Sequence, residues 1–165
     1  MKKIIVDGYN AIHKIPEMSN ELDKSLSAAR TALAMHMASW RGKGMYSRAL
    51  IAFDGQDSVM KGSSQVKLCG IDCVFARTRE KADNLIIRMV RDAKDASKIT
   101  VVSDDNYVRN NSRAHGAEVK SVAFLRSPTG KQNNPSGAAN KNIATERAQA
   151  ITDEYEEYLR AKGKI

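Results

Sequence analysis

The chain has 165 residues, and 42% of them are hydrophobic, so we expect one compact domain with its own core. Lysine and arginine number 27 against 19 acidic residues, and the net charge of +8 favours an anionic partner such as a nucleic acid. Cys69 and Cys73 lack neighbouring His or Cys ligands, which argues against a disulfide framework or a zinc site. The N-terminal apolar run is too short for a signal peptide or membrane span, so we expect a cytoplasmic protein without a membrane partner.

Short apolar runs alternate with helical patterns along the chain. Clusters of β-branched and apolar residues bounded by turn formers predict strands at residues 4–6, 49–53, 71–76, 99–102 and 118–122. Apolar residues spaced three and four apart predict helices at residues 22–40 and 79–94, and a helical segment follows Asp105 as far as His115. This alternation predicts an α/β sandwich around a mainly parallel central sheet.

The last forty residues have a different composition. Residues 126–142 contain Gly, Pro, Ser and Asn together with Arg126, Lys131 and Lys141, and they include no acidic residue. We therefore predict a basic flexible loop over residues 127–142. Residues 143–165 carry an apolar edge at helical spacing, which predicts a C-terminal helix that docks on or extends the same domain.

Aspartates follow three of the predicted strands. Asp7 and Asp54 each end an apolar run and precede a glycine, and Asp104 and Asp105 follow the run at residues 99–102. The carboxyl ends of parallel strands meet at one edge of a sheet, where ligands bind in open α/β folds. Asp83, early in the predicted helix 79–94, is placed to face the same cleft.

Crowded carboxylates repel one another unless a cation compensates their charge, and oxygen-only ligands select Mg²⁺ or Mn²⁺. Such an ion can activate water for attack on a phosphodiester. One aspartate at a strand end is more commonly a helix cap or turn former. Its recurrence at three strands is what favours a shared metal site.

Four segments with a recurring order carry a family resemblance. They are Val6-Asp7-Gly8-Tyr9-Asn10-Ala11-Ile12, Ala52-Phe53-Asp54-Gly55, Lys81-Ala82-Asp83-Asn84 and Val101-Val102-Ser103-Asp104-Asp105. On these segments the chain resembles the NYN domains, which are PIN-like nucleases, and especially their YacP-like branch. The resemblance implies a Rossmann-like PIN/NYN three-layer sandwich over residues 1–126. It also implies a Mg²⁺- or Mn²⁺-dependent endoribonuclease acting on RNA, with mRNA or ribosome-associated RNA as the expected substrate.

The resemblance also assigns roles to the acidic residues. Asp7 and Asp104 are similar to the principal metal ligands, Asp83 to the helix-borne acid, and Asp54 completes the acidic cleft. Asp105 is either a further ligand or the cap of the next helix. The chain reads Ser-Asp-Asp where many relatives have Ser-Gly-Asp, so either aspartate can be the main acid, and we favour Asp104.

Asn10 belongs to the same motif. Its amide can orient substrate or a water molecule, so we include Asn10 among the catalytic candidates, with a turn or cap as its alternative role. Ser103 either contacts phosphate or caps the following helix. No second acid directly follows Asp83, which leaves the number of metal ions at one or two.

Candidate RNA contacts lie beside the acidic segments. Basic residues that can meet the RNA backbone, or can simply be solvated surface, are Arg77, Arg79, Arg109 and Arg113. Tyr9 and Tyr107 flank the predicted cleft and can stack on bases of single-stranded RNA, with core packing as the alternative. We expect RNA as the partner, and the basic loop adds a ribosomal surface as a further candidate.

Other functions fit the sequence less well. A non-catalytic RNA-binding module would keep the fold and the basic surface but has no evident need for four aspartates. A receiver-like phosphoacceptor expects paired acids after the first strand, where this chain has Asp7 followed by Gly8. Dinucleotide binding is disfavoured because no G-x-G-x-x-G follows that strand.

Overall fold

The computed structural model describes residues 1–41, 44–55, 65–77 and 80–126. By its internal contacts the chain divides into two units, Met1–Gln132 and Asn133–Ile165, and every described residue belongs to the first. The predicted loop at 127–142, the predicted helix at 143–165 and Arg79 lie outside the described residues. The domain limits proposed from the sequence therefore stay a prediction.

The strands of the described residues form one sheet. They are β1 (Lys3–Asp7), β2 (Arg48–Phe53), β3 (Gln65–Leu68), β4 (Ile71–Phe75), β5 (Ile99–Val102) and β6 (Glu118–Lys120). Their order across the sheet is β3-β4-β2-β1-β5-β6, and every neighbouring pair is parallel except β3 with β4. The prediction of a mainly parallel central sheet is confirmed.

Helices cover both faces of this sheet. They are α1 (Gly8–Lys14), α2 (Pro16–Leu22), α3 (Leu26–Arg41), α4 (Ala82–Arg91), α5 (Asn106–Ala114) and α6 (Ala123–Arg126), and a short 3₁₀ helix at Ala96–Lys98 precedes β5. One core cluster joins α1, α2, α3 and α6 to the sheet, and a second joins α4 and α5 to it. Side chains alternate along β1, so Ile4 and Val6 enter the first cluster and Ile5 enters the second. The predicted three-layer sandwich is confirmed.

The predicted helix at residues 22–40 is wrong at its start. Leu22 ends α2, and α3 begins only at Leu26. Ser25 explains the break, because its Oγ accepts a 3.0 Å hydrogen bond from the backbone N–H of Ala28 and so caps α3. The sequence analysis did not predict α1 and α2, although Pro16 at the first position of α2 is a usual start signal.

The sequence analysis also missed β3. This strand pairs with β4 through a tight turn at Cys69 and Gly70, whose φ angles are 50° and 77°. It is a short edge strand whose residues are at most half-buried, so its apolar signal is weak. Other ends differ by a few residues: the helix predicted at 79–94 is Ala82–Arg91, and the strand predicted at 118–122 ends at Lys120 before α6.

Two glycines explain the Asp-Gly pairs of the sequence. A Cβ at Gly8 would press on the ring of Phe53 and lie 2.8 Å from the carbonyl oxygen of Ala52. A Cβ at Gly55 would collide with the carbonyl group of Ala76. Close backbone approach therefore requires glycine directly after each of these strand-end aspartates.

Candidate active site at the carboxyl edge of the sheet

The carboxyl ends of three neighbouring strands carry the aspartates singled out from the sequence. Asp7 is the last residue of β1, Asp54 directly follows β2, and Asp104 and Asp105 follow β5. In the sheet, β1 lies between β2 and β5, so these residues lie close together at the carboxyl edge. The chain runs from β1 to β2 on one side, whereas β5 lies on the other side, and this place is the switch point of the sheet. Asp83 lies in the first turn of α4, at the same edge.

Asp7 is the most enclosed acid of the group. Its side chain is buried, its Oδ2 accepts a 2.9 Å hydrogen bond from Ser103 Oγ, and the backbone N–H of Asn10 also donates to its carboxylate. Burial raises the pKa of Asp7 to about 7 against the lowering effect of these hydrogen bonds. The charges of Asp83 and Asp105 raise this pKa further, so the three carboxylates are near neighbours.

Asp83 shares the same environment. Burial raises the pKa of this half-buried carboxyl above its usual range, and the negative charges of Asp105 and Asp54 add to the increase. The nearby Lys81 lowers it. We call Asp7, Asp83 and Asp105 the acidic cluster, because the charge of Asp105 acts on both other carboxyl groups and the charge of Asp83 acts on Asp7. Sequence reasoning did not assign a role to Lys81, although its position two residues before Asp83 was a usable signal.

Asp54 has a structural task beside this cluster. Its Oδ1 accepts a 2.7 Å hydrogen bond from the backbone N–H of Ala82, the first residue of α4. The first N–H groups of a helix lack partners within the helix, so this contact stabilises the start of α4. Asp54 therefore positions the turn that carries Asp83.

The two aspartates after β5 face different partners. Asp104 Oδ1 accepts a 2.9 Å hydrogen bond from the backbone N–H of Val122 and lies 3.8 Å from Nη1 of Arg109. Asp105 Oδ1 accepts a 2.9 Å hydrogen bond from Val108 N–H and caps α5. Asp105 is also the residue whose charge reaches Asp7 and Asp83. The capping role of Asp105 is thus observed, and the choice between Asp104 and Asp105 as the main acid stays a prediction, in which the charge effect of Asp105 on Asp7 and Asp83 now leads us to prefer Asp105.

Asn10 connects two segments of the site. Its side-chain Oδ1 accepts a 2.9 Å hydrogen bond from the backbone N–H of Asp104. This contact ties the start of α1 to the loop after β5. Asn10 thus helps to position that loop, and its predicted catalytic role stays a prediction.

The predicted RNA-contacting residues are dispersed. Arg77 is exposed just after β4, at the same edge as the acids. Arg113 lies in the last turn of α5, whereas Asp105 caps the first, so the structure does not bring Arg113 to the acidic cluster. Arg109 is half-buried beside Asp104.

Tyr9 belongs to the packing of the domain. Its ring centroid lies 5.2 Å from that of Phe53, and its hydroxyl accepts hydrogen bonds from the guanidinium group of the buried Arg30. The same guanidinium lies over the ring of Phe75, 5.2 Å from its centroid. These contacts hold the half-buried Tyr9 ring against core side chains, which gives it a packing role, and its stacking on a base stays a prediction. Sequence reasoning gave no indication of Arg30.

The acidic cluster offers only carboxylate oxygens, the ligand type of Mg²⁺ and Mn²⁺. Within the described residues, no three His, Cys, Asp or Glu side chains stand close enough together to hold a metal ion. Mg²⁺ is commonly bound by one or two carboxylates, with water and substrate phosphate completing its ligands. Burial is the main cause of the raised pKa values of Asp7 and Asp83, and the neighbouring carboxylates add a repulsion that a bound cation would offset. The described carboxylates therefore do not complete a metal site by themselves, and an Mg²⁺ or Mn²⁺ ion would also need ligands from water or substrate phosphate.

The fold and the site define a class: a Rossmann-like α/β domain with aspartates gathered at the switch point of its sheet. The chain belongs to the YacP-like NYN domain family, whose match extends over residues 4–162. This membership implies a nuclease-type, RNA-related module. In the described part of the chain no helix is both long and apolar enough to cross a membrane.

Solved structures share the fold. The chain is 24% identical to Rae1 (YacP) from Bacillus subtilis, with a TM-score of 0.62 over 99% of this chain and 89% of that one. A point mutant of the same Bacillus subtilis protein gives 21% identity and a TM-score of 0.63, over 99% of this chain and 85% of that one. A comparison with curated proteins found no match.

Proposed function

We propose that this protein is an endoribonuclease that hydrolyses RNA phosphodiester bonds with the help of Mg²⁺ or Mn²⁺. The observation that carries the proposal is the convergence of Asp7, Asp83 and Asp105 at the carboxyl edge of three neighbouring elements of the sheet and its helices. Family membership and the net charge of +8 support the same function, since a basic protein attracts RNA.

The acidic cluster would hold the cation. When bound, the cation would supply a polarised water as nucleophile and would stabilise the leaving oxygen. Asp7 must lose its proton to take part, and its pKa of about 7 places that step near neutral pH. Ser103 orients the carboxylate of Asp7, and Asp54 orients the first turn of α4.

The substrate side of the site combines helix ends and basic side chains. α4 and α5 both begin at the carboxyl edge, and the N-terminal ends of helices favour phosphate groups. Arg77 and Lys81 add positive charge beside them. These groups would offset the repulsion between the acidic cluster and the RNA backbone. A ribosomal partner rests on residues 127–142, which lie outside the described residues.

Cleavage under single-turnover conditions tests the proposal. A panel of single-stranded and structured RNAs is incubated with the wild type in Mg²⁺ or Mn²⁺, beside a chelator control and the Asp83→Asn variant. Asp95→Asn is a matched control, because this exposed aspartate caps the 3₁₀ helix outside the site. We expect metal-dependent cleavage that Asp83→Asn removes and Asp95→Asn retains. RNA binding without cleavage, equal in the wild type and Asp83→Asn, would replace the enzyme with a non-catalytic RNA-binding module.

A further inference from the structure

Tyr107 stands apart from the other aromatic side chains of the described residues. It is 56% exposed, whereas every other described aromatic side chain is buried or half-buried. Core aromatic rings pack in pairs, such as Trp40 with Phe124 and Phe53 with Phe75. The exposed part of the Tyr107 ring stays in contact with water and gains no hydrophobic stabilisation. Core packing therefore does not explain an aromatic residue at this position.

The position of Tyr107 connects it to the acidic cluster. It lies in the first turn of α5, two residues after Asp105. Its hydroxyl donates a 3.3 Å hydrogen bond to Oδ1 of Asn84, the residue that follows Asp83 in the first turn of α4. One side chain therefore connects the two helix starts that carry two of the three acids.

The contact with Asn84 also restrains the ring. A tyrosine side chain has few rotatable bonds, and its hydroxyl is held here by Asn84. The side chain therefore loses little conformational entropy when a ligand stacks on its ring. Every nucleobase presents a flat face, so an exposed and restrained ring binds unpaired bases without regard to sequence. Bases inside a duplex are already stacked on both sides and do not reach such a ring.

We infer that Tyr107 stacks on an unpaired base of RNA bound beside the acidic cluster, which makes the site selective for single-stranded RNA. The inference rests on the proposed function for the identity of the ligand as RNA. Tyr107 contacts the substrate base and takes no part in proton transfer. Removal of its ring should weaken binding of single strands and leave binding of duplexes unchanged.

Binding measured by fluorescence anisotropy in the presence of a chelator tests the inference without cleavage. The wild type, Tyr107→Phe and Tyr107→Ala are titrated with a labelled single strand, the same strand made abasic, and its duplex. We expect Tyr107→Ala to bind the single strand roughly 5- to 100-fold more weakly, the range for loss of one stacked base. Tyr107→Phe keeps the ring and should stay within about 2-fold of the wild type, because it loses only the contact with Asn84.

The abasic strand separates stacking from general weakening. Wild-type binding should fall on this strand by about the factor lost in Tyr107→Ala, and the variant should bind abasic and normal strands alike. The inference is overturned if Tyr107→Ala binds the normal single strand like the wild type, or if it weakens single strands and duplexes equally. An equal loss in Tyr107→Phe and Tyr107→Ala would also overturn it, since the ring would then not be the contact.

Cleavage of the same strands keeps the two proposals distinguishable. If the wild type shows this stacking pattern but never cleaves, the proposed nuclease fails and Tyr107 remains a stacking group of a binding module. If the wild type cleaves and Tyr107→Ala has unchanged KM and kcat on single strands, the stacking inference fails and the nuclease stands. If both proposals hold, Tyr107→Ala should have a raised KM on single strands with little change in kcat.

Discussion

The hydroxyl group of Ser103 donates a 2.9 Å hydrogen bond to Oδ2 of Asp7 and accepts one of 3.0 Å from the backbone N–H of Asp105. Ser103 is fully buried between β1 and the cap of α5. A single serine therefore sets the relative position of two acids that belong to different segments of the chain.

Replacement of Ser103 by alanine tests this link. Because the hydroxyl lowers the pKa of Asp7, we expect Ser103→Ala to raise that pKa and move the acid limb of the pH–rate profile to higher pH. The free energy of unfolding should fall by about 1–3 kcal/mol, since buried polar groups lose their partner. Urea unfolding and the pH dependence of kcat/KM provide the two readouts.

Ser112 provides the matched control. It is also fully buried, but its Oγ has no hydrogen-bond partner among the described residues. Ser112→Ala should therefore leave both the pH profile and the stability close to those of the wild type. An unshifted pH profile in Ser103→Ala would show that the serine does not control the protonation of Asp7.

The stability of the cation-free protein should depend on the protonation of Asp7. Its pKa is raised from 3.8 to about 7 in the folded state, so between these pH values the folded protein keeps a proton that the unfolded chain has already released. The stabilisation is fully present below about pH 4, decreases as the pH rises, and is lost above about pH 7. Asp7→Asn should remove the part of this decrease that Asp7 causes, no more than about 4 kcal/mol, and keep the part that the raised pKa of Asp83 causes.

Urea unfolding in a chelator between about pH 4 and pH 8 measures this effect. The wild type should lose stability across the interval, and Asp7→Asn should be the more stable protein at the alkaline end. A wild type that is more stable than Asp7→Asn at about pH 8 without any cation would contradict the raised pKa.

Asp54 should act through α4 and not as a direct ligand. Asp54→Ala removes the hydrogen bond to Ala82 and should lower the free energy of unfolding by about 0.5–2 kcal/mol, as for other helix caps. Asp54→Asn keeps an acceptor oxygen and should restore most of the stability and the cleavage rate. Thermal unfolding and single-turnover cleavage measure both. If Asp54→Asn abolishes cleavage as completely as Asp83→Asn, the residue binds the cation itself.

Substitutions of the two aspartates after β5 should reduce the cleavage rate to different extents. Asp105→Asn retains a good helix cap but loses its charge, so we expect a loss of cleavage beyond the ~100-fold typical of an outer-shell contact. Asp104→Asn keeps the acceptor for Val122 and should lose less than about 10-fold. Single-turnover rates at saturating Mn²⁺ make the comparison. The reverse order of the two variants would return the main role to Asp104.

The positions of the site aspartates followed from local sequence patterns. Short apolar runs that end in Asp7 and Asp54 predicted two buried parallel strands, and the parallel arrangement alone placed these acids at a common edge. The glycine of each Asp-Gly pair, Gly8 or Gly55, lies where neighbouring atoms leave no room for a Cβ. The sequence pattern predicted this edge correctly because it locates the ends of the strands, and pairing in a parallel sheet places those ends side by side.

The choice between chemically equal residues did not follow from the sequence. Asp104 and Asp105 are adjacent, but Asp104 accepts a hydrogen bond from the backbone N–H of Val122, 18 residues further on, whereas Asp105 caps α5. Tyr9 and Tyr107 both flank the motifs, but Arg30 from α3 holds Tyr9 against core side chains. Such contacts join residues far apart in the chain, and residue spacing carries no information on them.

Calorimetric titration of Mn²⁺ into the cation-free protein at about pH 8, with a single-stranded RNA present, is the most direct test of a divalent-cation site at the acidic cluster. We predict binding by the wild type and by Asp104→Asn, and its loss in Asp7→Asn and Asp105→Asn. Binding near pH 6 should be weaker and should release protons, because Asp7 must ionise first. Equal binding by the wild type and all three variants, or no binding by the wild type at millimolar Mn²⁺ with RNA present, would contradict this site.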